Sequence, residues 1–129
     1  MSIDAFVLDH AAEIQVGQEP TVLGKLHLEP GKSYVVFAKG QVVAGGGTQQ
    51  ATFRLEALLP EATDETTMVF DVPWPLTHGS FSLAVATALP PDPELFVDAT
   101  LSGHCEIFCQ VSNVKIIALA VDSVTVTTS

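Results

Sequence analysis

The segment SYVVFAKGQVVA, from Ser33 to Ala44, decides the fold class of this chain. It is rich in β-branched and aromatic residues, which fit the surface of a sheet, and it lacks an apolar stripe of helical period. The turn sequence EPGK (Glu29–Lys32) precedes it, and the loop sequence GGGTQQ (Gly45–Gln50) follows it. Because Pro and Gly mark its ends, the segment predicts a β-strand bounded by turns.

The segments on either side show the same strand character. In ATFRLEALL (51–59), Phe53 and Leu55 alternate with Arg54, which is the period of two of a half-buried strand. The other predicted strands are IDAFVL (3–8), AEIQVG (12–17), TVLGKLHLE (21–29), TTMVFDV (66–72), SFSLAVATAL (80–89), LFVDATLSG (95–103), CEIFCQVS (105–112), VKIIALAVD (114–122) and SVTVTT (123–128). Between them, PEATDE (60–65) and PPDPE (90–94) are predicted loops. Where adjoining segments continue as one strand, these eleven segments make about eight to ten strands, and this spacing predicts an all-β, antiparallel β-sandwich of the jelly-roll type.

The composition of the chain argues against several classes of function. The 129 residues fit one β-sandwich domain spanning 1–129, and 47% apolar residues are enough for a core. Fifteen acids against five bases give a net charge of −10, so phosphate repulsion argues against nucleic acid as a partner. The longest apolar run, IIALAV (116–121), is far shorter than the ~20 residues of a membrane span. The start MSIDAFVLDH lacks signal-peptide features, so we expect a cytoplasmic product as synthesised, with any export by another route.

The order of the segments resembles a known group of proteins. The stretches PGKSYVVFAKG, ATFRLEA, FSLAVATAL, VDATLSG and NVKIIALAVDSVTV, spread over Val22 to Val126, look like those of short, largely uncharacterised bacterial β-sandwich proteins. Their strand pattern is similar to jelly rolls of the tumour necrosis factor and complement globular-head type. The resemblance implies a symmetric trimer and a receptor- or ligand-binding module. It also implies a central, buried last strand, which Ile116, Ile117, Leu119 and Val121 would suit.

The stretch HCEIFCQ (His104–Gln110) raises the question of a metal site, a disulfide or a catalytic thiol. If the stretch is an extended strand, its two cysteines lie roughly 13 Å apart, too far for a disulfide. A bridge would require a tight turn in EIF, whose residues are poor turn formers. Zinc ligands would lie on opposite faces of the strand, and the acidic surroundings disfavour a thiolate. We therefore expect Cys105 and Cys109 to be free, buried and apolar, as in a reducing compartment.

Two further groups of residues are candidates for binding. Trp74, between two prolines in PWPLTHG, and the nearby His78 could stack on a sugar ring or anchor a partner. The alternative is an indole packed inward over one end of the sandwich. The acidic residues Glu61, Asp64, Glu65, Asp92, Glu94 and Asp98 provide oxygen ligands of the kind that calcium prefers. They lack the EF-hand order, and we expect them to face water.

We expect a non-enzymatic binding or assembly module, a homotrimer that recognises a protein or glycan partner. Apolar residues in excess of one sandwich core would be buried between the copies. The first alternative is a monomeric carbohydrate-binding β-sandwich that uses Trp74 and His78. The second is a small cupin-like enzyme, whose G-x₅-H-x-H spacing is missing. No catalytic residue, cofactor or metal ligand is expected.

Overall fold

The computed structural model describes residues 4–45, 48–57, 62–70 and 77–125. These residues contain nine strands and no helix, and so none that could cross a membrane. The strands are β1 (Ala5–His10), β2 (Ile14–Val16), β3 (Thr21–Leu28), β4 (Ser33–Ala44), β5 (Gln49–Ala57), β6 (Ala62–Phe70), β7 (Thr77–Ala88), β8 (Val97–Cys105) and β9 (Cys109–Val121).

The strands pair in a nested order. Sheet 1 has the order β1–β9–β4–β7, with β2 also paired to β9, and sheet 2 has the order β3–β8–β5–β6. All pairs are antiparallel, and β5 pairs β6, β4 pairs β7, β3 pairs β8 and β1 pairs β9. This nesting is that of one long antiparallel ribbon rolled up so that successive pairs alternate between two sheets. It is the strand order of a jelly roll, and it confirms the predicted fold class.

The core lies between the two sheets and follows the period of two. Phe53, Leu55 and Ala57 of β5 are fully buried, as their alternation predicts, while Arg54 is exposed. Phe81 and Leu83 of β7 face them from sheet 1. Each sheet therefore has one inner face in the core and one outer face. The prediction that the chain forms one domain stays a prediction.

A stacked pair of aromatic rings joins the two sheets at the centre of the core. Phe53 of sheet 2 and Phe81 of sheet 1 have ring centroids 4.2 Å apart and planes 6° apart. Each ring also lies over a glycine of the neighbouring strand, Phe53 over Gly103 and Phe81 over Gly40. A Cβ on Gly103 would lie 2.7 Å from the Phe53 ring, and one on Gly40 would lie 2.8 Å from the Phe81 ring. Both glycines are therefore required for the close approach of the rings.

Several predicted boundaries are confirmed and others are wrong. The structure places β4 at Ser33–Ala44, as the opening segment predicts. The predicted loop PEATDE is wrong from Ala62 onward, because residues 62–65 pair with β5 as the start of β6. Polar residues are tolerated there because β6 is an edge strand with one side exposed to solvent. Residues 123–125, expected to begin a last strand, are not in a strand.

The last strand is central, as the resemblance implies, but only one of its two sides is buried. β9 lies between β1 and β4, and Ile116 is fully buried. Ile117, Leu119 and Val121 point to the outer side of sheet 1 and are half-buried. Alternate residues of a strand face opposite sides, so the core position of Ile116 excludes these three from the core.

The expectation of two free cysteines is wrong. Cys105 ends β8 in sheet 2, Cys109 begins β9 in sheet 1, and a disulfide joins them with a Cα–Cα distance of 6.5 Å. Residues 106–108 turn from one sheet to the other, which brings the two cysteines within bridging range. The strand propensity of Ile107 and Phe108 is overridden by hydrogen bonds to Gln49. With both cysteines bridged, free thiols no longer indicate a reducing compartment for this chain.

Candidate functional site: an apolar sheet face and a disulfide-bridged loop

The outer side of sheet 1 has an unusual share of apolar residues. Two rows cross its four long strands, and we call these eight residues the apolar face: Val7, Ile117, Phe37 and Ala84 in one row, and Ala5, Leu119, Val35 and Ala86 in the next. Phe37 is 45% exposed and Val7 is 55% exposed. Large apolar side chains that adjoin across strands and face solvent are typical of an interaction surface.

A shallow hollow of about 360 Å³ borders the apolar face. Its lining includes Phe37, Ile117 and Ala84 from the apolar face, together with Lys39 and Lys115. Asp64 of sheet 2 closes one side, where its Oδ2 accepts a hydrogen bond of 2.9 Å from the Ala84 backbone N–H. This bond satisfies a donor on the free edge of β7 and links the edges of the two sheets.

The rest of this outer side is polar. A second hollow, of about 410 Å³, is lined by Lys39, Gln41, Ser80, Ser82 and Asn113, with Gly40 and Phe81 beneath. A β-bulge shifts the register of β9 against β4 between Lys39 and Gln41. Asn113 has a φ of 52°, a left-handed conformation that asparagine tolerates. Its Nδ2 donates to Gln41 Oε1 at 2.6 Å, so the bulge aims two carboxamides into this hollow.

The charge of this side differs from that of the chain. Lys39 and Lys115 lie opposite each other on β4 and β9. Among the strand residues of β1, β4, β7 and β9, Asp9 is the only acid, and its carboxylate lies 3.6 Å from the Lys115 ammonium. In a chain of net charge −10, the outer side of sheet 1 therefore has few negative charges among its described residues, namely Asp9 and, at its β7 edge, the Asp64 carboxylate from sheet 2.

The outer side of sheet 2 is mostly polar and contains charges of both signs, and its exposed Val22 and Val69 lie opposite the polar residues Ser102 and Gln50. Thr52 and Thr67 share a hydroxyl hydrogen bond of 3.1 Å, and Arg54 pairs with Glu56 at 3.3 Å. At one end the His27 ring stacks on Phe96 with centroids 4.6 Å apart. The two outer sides of the sandwich are thus chemically different.

The residues from Cys105 to Cys109, which we call the bridged loop, are held by a buried glutamine. Gln49 is 1% exposed. Its Oε1 accepts the backbone N–H groups of Ile107 and Phe108 at 3.2 and 3.1 Å. Its Nε2 donates to the carbonyl oxygens of Gly45 and Phe108 at 2.8 and 3.0 Å. The side chain thus uses all four of its hydrogen-bonding positions, and these bonds compensate for the water contacts that it loses on burial.

Neighbouring backbone fixes the same loop from a second direction. The Cys105 N–H donates to the Gly17 carbonyl at 2.7 Å, and the Glu106 N–H donates to the Gln50 carbonyl at 3.0 Å. In return the Glu106 carboxylate accepts the Gln50 N–H at 2.7 Å. Held in this way, the loop leaves Ile107 48% exposed and Phe108 41% exposed.

The predicted site residues are placed as follows. Trp74 lies outside the described residues, so its role stays a prediction. His78 is exposed on β7 opposite Val43, and it lines a hollow of about 340 Å³ together with Gln41, Ser80 and Ser112. His78 therefore lies beside the polar hollow of sheet 1, and its role as a ligand contact also stays a prediction.

The acidic residues are dispersed in the part of the chain that the structure describes. Asp64 and Glu65 belong to β6, Asp98 belongs to β8, and Asp92 accepts the Glu94 N–H at 3.0 Å in a turn. Glu61 lies outside the described ranges. Within those ranges, no three His, Cys, Asp or Glu side chains are grouped as metal ligands.

Glu29 and Lys32, whose pKa values differ from their ordinary values, lie away from these surfaces. The Lys32 ammonium, 2.8 Å from Glu29 Oε2, lowers the pKa of that carboxyl through a hydrogen bond and its charge. The same hydrogen bond raises the pKa of Lys32. Both groups are exposed at the β3–β4 turn, so the pair is a surface contact of small energetic weight.

Comparisons with known proteins supply no family. No protein-family model and no curated protein matches the sequence. Among solved structures, the chain is similar to one from the infectious bursal disease virus Gx strain, with a TM-score of 0.49 and 5% identity over 95% of this chain and 38% of that one. A family 16 carbohydrate-binding module matches with a TM-score of 0.25 and 16% identity, over 94% of this chain and 74% of that one. The VP2 subviral particle of the same virus matches with a TM-score of 0.28 and 9% identity, over 92% and 37% of the two chains. At these values none of the three similarities indicates a function for this chain.

Proposed function

We propose that this chain is a non-enzymatic assembly and binding module that associates with further copies of itself through the apolar face of sheet 1. The contrast between the two outer sides of the sandwich carries this proposal. Sheet 2 is mostly polar on its outer side, where the exposed Val22 and Val69 pair with Ser102 and Gln50, whereas Phe37, Val7 and their neighbours leave a continuous apolar area in water. Burying that area between copies is favourable by the hydrophobic effect.

Charge supports a second copy of the chain as the occupant of this face. Two molecules of net charge −10 repel each other wherever their acidic surfaces meet. The outer side of sheet 1 is where that repulsion is smallest, because Asp9 is the one acid among its described strand residues and Lys115 neutralises it. Lys39, which makes no ion pair with the described residues, adds a positive charge that an acidic neighbour would complement.

The proposed number of copies is three. It depends on the resemblance of the segment order to trimeric jelly rolls, and the apolar face supports association without fixing the number. In a cyclic trimer each copy uses two different patches, so the apolar face of one copy would contact another surface of the next. The partner recognised by such an assembly is a protein or a glycan.

Light scattering on a sizing column tests the proposal. We expect a mass three times the 13.6 kDa chain, and a reduction to one chain in Phe37→Asp, which puts a charge in the apolar face. Val69→Asp is the matched control, because Val69 is 63% exposed on the outer side of sheet 2. A monomeric wild-type protein at tens of micromolar would overturn self-association. A Val69→Asp variant that dissociates as readily as Phe37→Asp would overturn the choice of face.

Glycan binding is a second candidate function, favoured by the polar hollow of sheet 1. Gln41, Asn113, Ser80 and Ser82 offer donors and acceptors side by side, with Phe37 four residues from Gln41 along β4. Sugar ligands are held by such polar groups beside an apolar ring. A glycan panel followed by Trp74 fluorescence and by calorimetry tests this candidate, with Asn113→Ala as the variant expected to weaken any binding. A flat response to every glycan would remove it.

A further inference from the structure

We infer that the bridged loop is a preformed recognition element for a basic peptide segment with apolar or aromatic side chains, contributed by a protein partner. The loop lies at one end of the sandwich, where β8 ends and β9 begins, and the apolar face of sheet 1 lies along the middle of the strands. This inference is therefore independent of the proposed self-association.

The loop is rigid because two kinds of constraint converge on three residues. The disulfide fixes both of its ends, and Gln49 holds the N–H groups of Ile107 and Phe108 from within. Gln18 Nε2 adds a hydrogen bond of 3.0 Å to the Glu106 carbonyl. A binding loop that is already ordered loses little conformational entropy when a partner binds.

The same constraints keep two apolar side chains of the bridged loop exposed to solvent. Ile107 and Phe108 are adjacent and nearly half exposed. Their backbone N–H groups are bonded to Gln49 and the disulfide joins the two ends of the loop, so the backbone holds both side chains in this exposed position. Adjacent exposed aliphatic and aromatic side chains are the anchors on which protein partners gain most of their binding energy.

The surrounding charge identifies the partner as basic. In the described connections at this end (17–20, 45, 48 and 106–108) the charged residues are Glu19 and Glu106, with no lysine or arginine. Arg54 lies five residues along β5 from Gln49, roughly 17 Å away at the rise of a strand. A partner with lysine or arginine beside its apolar side chains is attracted by these carboxylates, and an acidic partner is repelled.

Three synthetic peptides test the inference by fluorescence polarisation against the intact, oxidised protein. All contain the same Leu-Phe-Trp-Leu core, and the core is flanked on both sides by Lys, by Gln or by Glu. We expect the Lys-flanked peptide to bind, with an affinity that falls as salt is added, and the Glu-flanked peptide not to bind. Equal binding of the Lys- and Glu-flanked peptides, or no binding of any, would overturn the inference.

Matched variants locate the binding. Ile107→Ser combined with Phe108→Ser is expected to lower the affinity for the Lys-flanked peptide by about tenfold or more. Phe96→Ser, 73% exposed at the opposite end of the sandwich, is expected to leave the affinity unchanged. Binding that is lost in Phe96→Ser and kept in the double variant would contradict the assignment. Circular dichroism establishes that each variant is folded.

Two further variants separate charge from shape. Glu106→Gln keeps an acceptor for the Gln50 N–H but removes the charge. It should therefore lower the affinity for the Lys-flanked peptide and leave the affinity for the Gln-flanked peptide unchanged. Cys105→Ser with Cys109→Ser should lower the affinity for both peptides, because the loop must then be ordered on binding. Phe37→Asp should bind as the wild type does, which distinguishes this site from the self-association face. Unchanged affinity in the Glu106 and cysteine variants alike would overturn the role of the bridged loop.

Discussion

Sheets 1 and 2 are alike on their inner sides and different on their outer sides. Inside, each contributes one phenylalanine to the central stack and one glycine beneath that ring, Phe53 over Gly103 and Phe81 over Gly40. Outside, sheet 2 has hydroxyls and ion pairs, whereas sheet 1 has the apolar face. The inner sides show what the fold requires for stability. The difference between the outer sides cannot come from that requirement, and it therefore indicates function.

The largest difference in stability is expected between a Phe→Ala substitution in the core and the same substitution on the outer side of sheet 1. Phe53→Ala removes a fully buried ring from the stack and should lower the free energy of unfolding by about 3–5 kcal/mol. Phe37→Ala removes a ring that is 45% exposed and should cost less than about 1 kcal/mol. Urea unfolding at a dilution where the protein is monomeric measures both values. Similar losses would mean that Phe37 belongs to the core of the single chain.

If the inner sides of the two sheets are equivalent, alanine at either glycine beneath the stack should lower the stability by the same amount. Gly40→Ala and Gly103→Ala each place a methyl group against a ring that the opposite ring holds in position. Each should destabilise the protein by about 1–3 kcal/mol, as overpacking does. Pairing Gly103→Ala with Phe53→Leu should recover part of the loss. If Gly40→Ala leaves the stability unchanged, the Phe81 ring can move, and the two glycine sites are alike in geometry but not in energy.

Thr87 is a polar residue on the inner side of β7. It is 2% exposed, and its Oγ1 has no hydrogen-bond partner among the described residues. Thr87→Val keeps the shape and removes the buried hydroxyl, so thermal unfolding should show a gain of about 1 kcal/mol. A loss of stability would mean that the hydroxyl is solvated by an internal water.

The smallest effect is expected on the outer side of sheet 2. Thr52→Val with Thr67→Val removes one exposed hydroxyl pair, and stability should change by less than about 0.5 kcal/mol. The mass in light scattering should not change, because Arg54, Glu56 and Glu65 keep this side polar. An increase in mass would show that two valines suffice to make a sheet face associate, and it would weaken the case built on sheet 1.

The alternation of apolar and polar residues predicted most of the fold. Ser33–Ala44 and the inward set of β5 were predicted correctly because period two is a local property of the chain. β6 was missed at Ala62–Glu65 because a polar edge strand has the composition of a loop. The bridged loop was missed because Ile107 and Phe108 favour strand, and the group that overrides them, Gln49, is far away in sequence.

The candidate surfaces were less predictable than the fold. The apolar face has a local signal, since Val35 and Phe37 are apolar on the side of β4 opposite to Tyr34 and Val36. Apolar residues on both sides of a strand indicate that both sides are covered. Asn113 and Gln41 gave no such signal, because they meet only through the register of β4 with β9 and its bulge.

The nested pairing also sets the order in which the chain can fold during synthesis. The innermost pair, β5 with β6, consists of consecutive segments and can close as soon as both have left the ribosome. Each outer pair joins segments farther apart, and β1 finds its partner only after residues 114–119 have been made. Contacts of such long sequence separation form slowly. Among the described strands, β1 is therefore among the last to be paired, and its edge is exposed to other chains until β9 has been made.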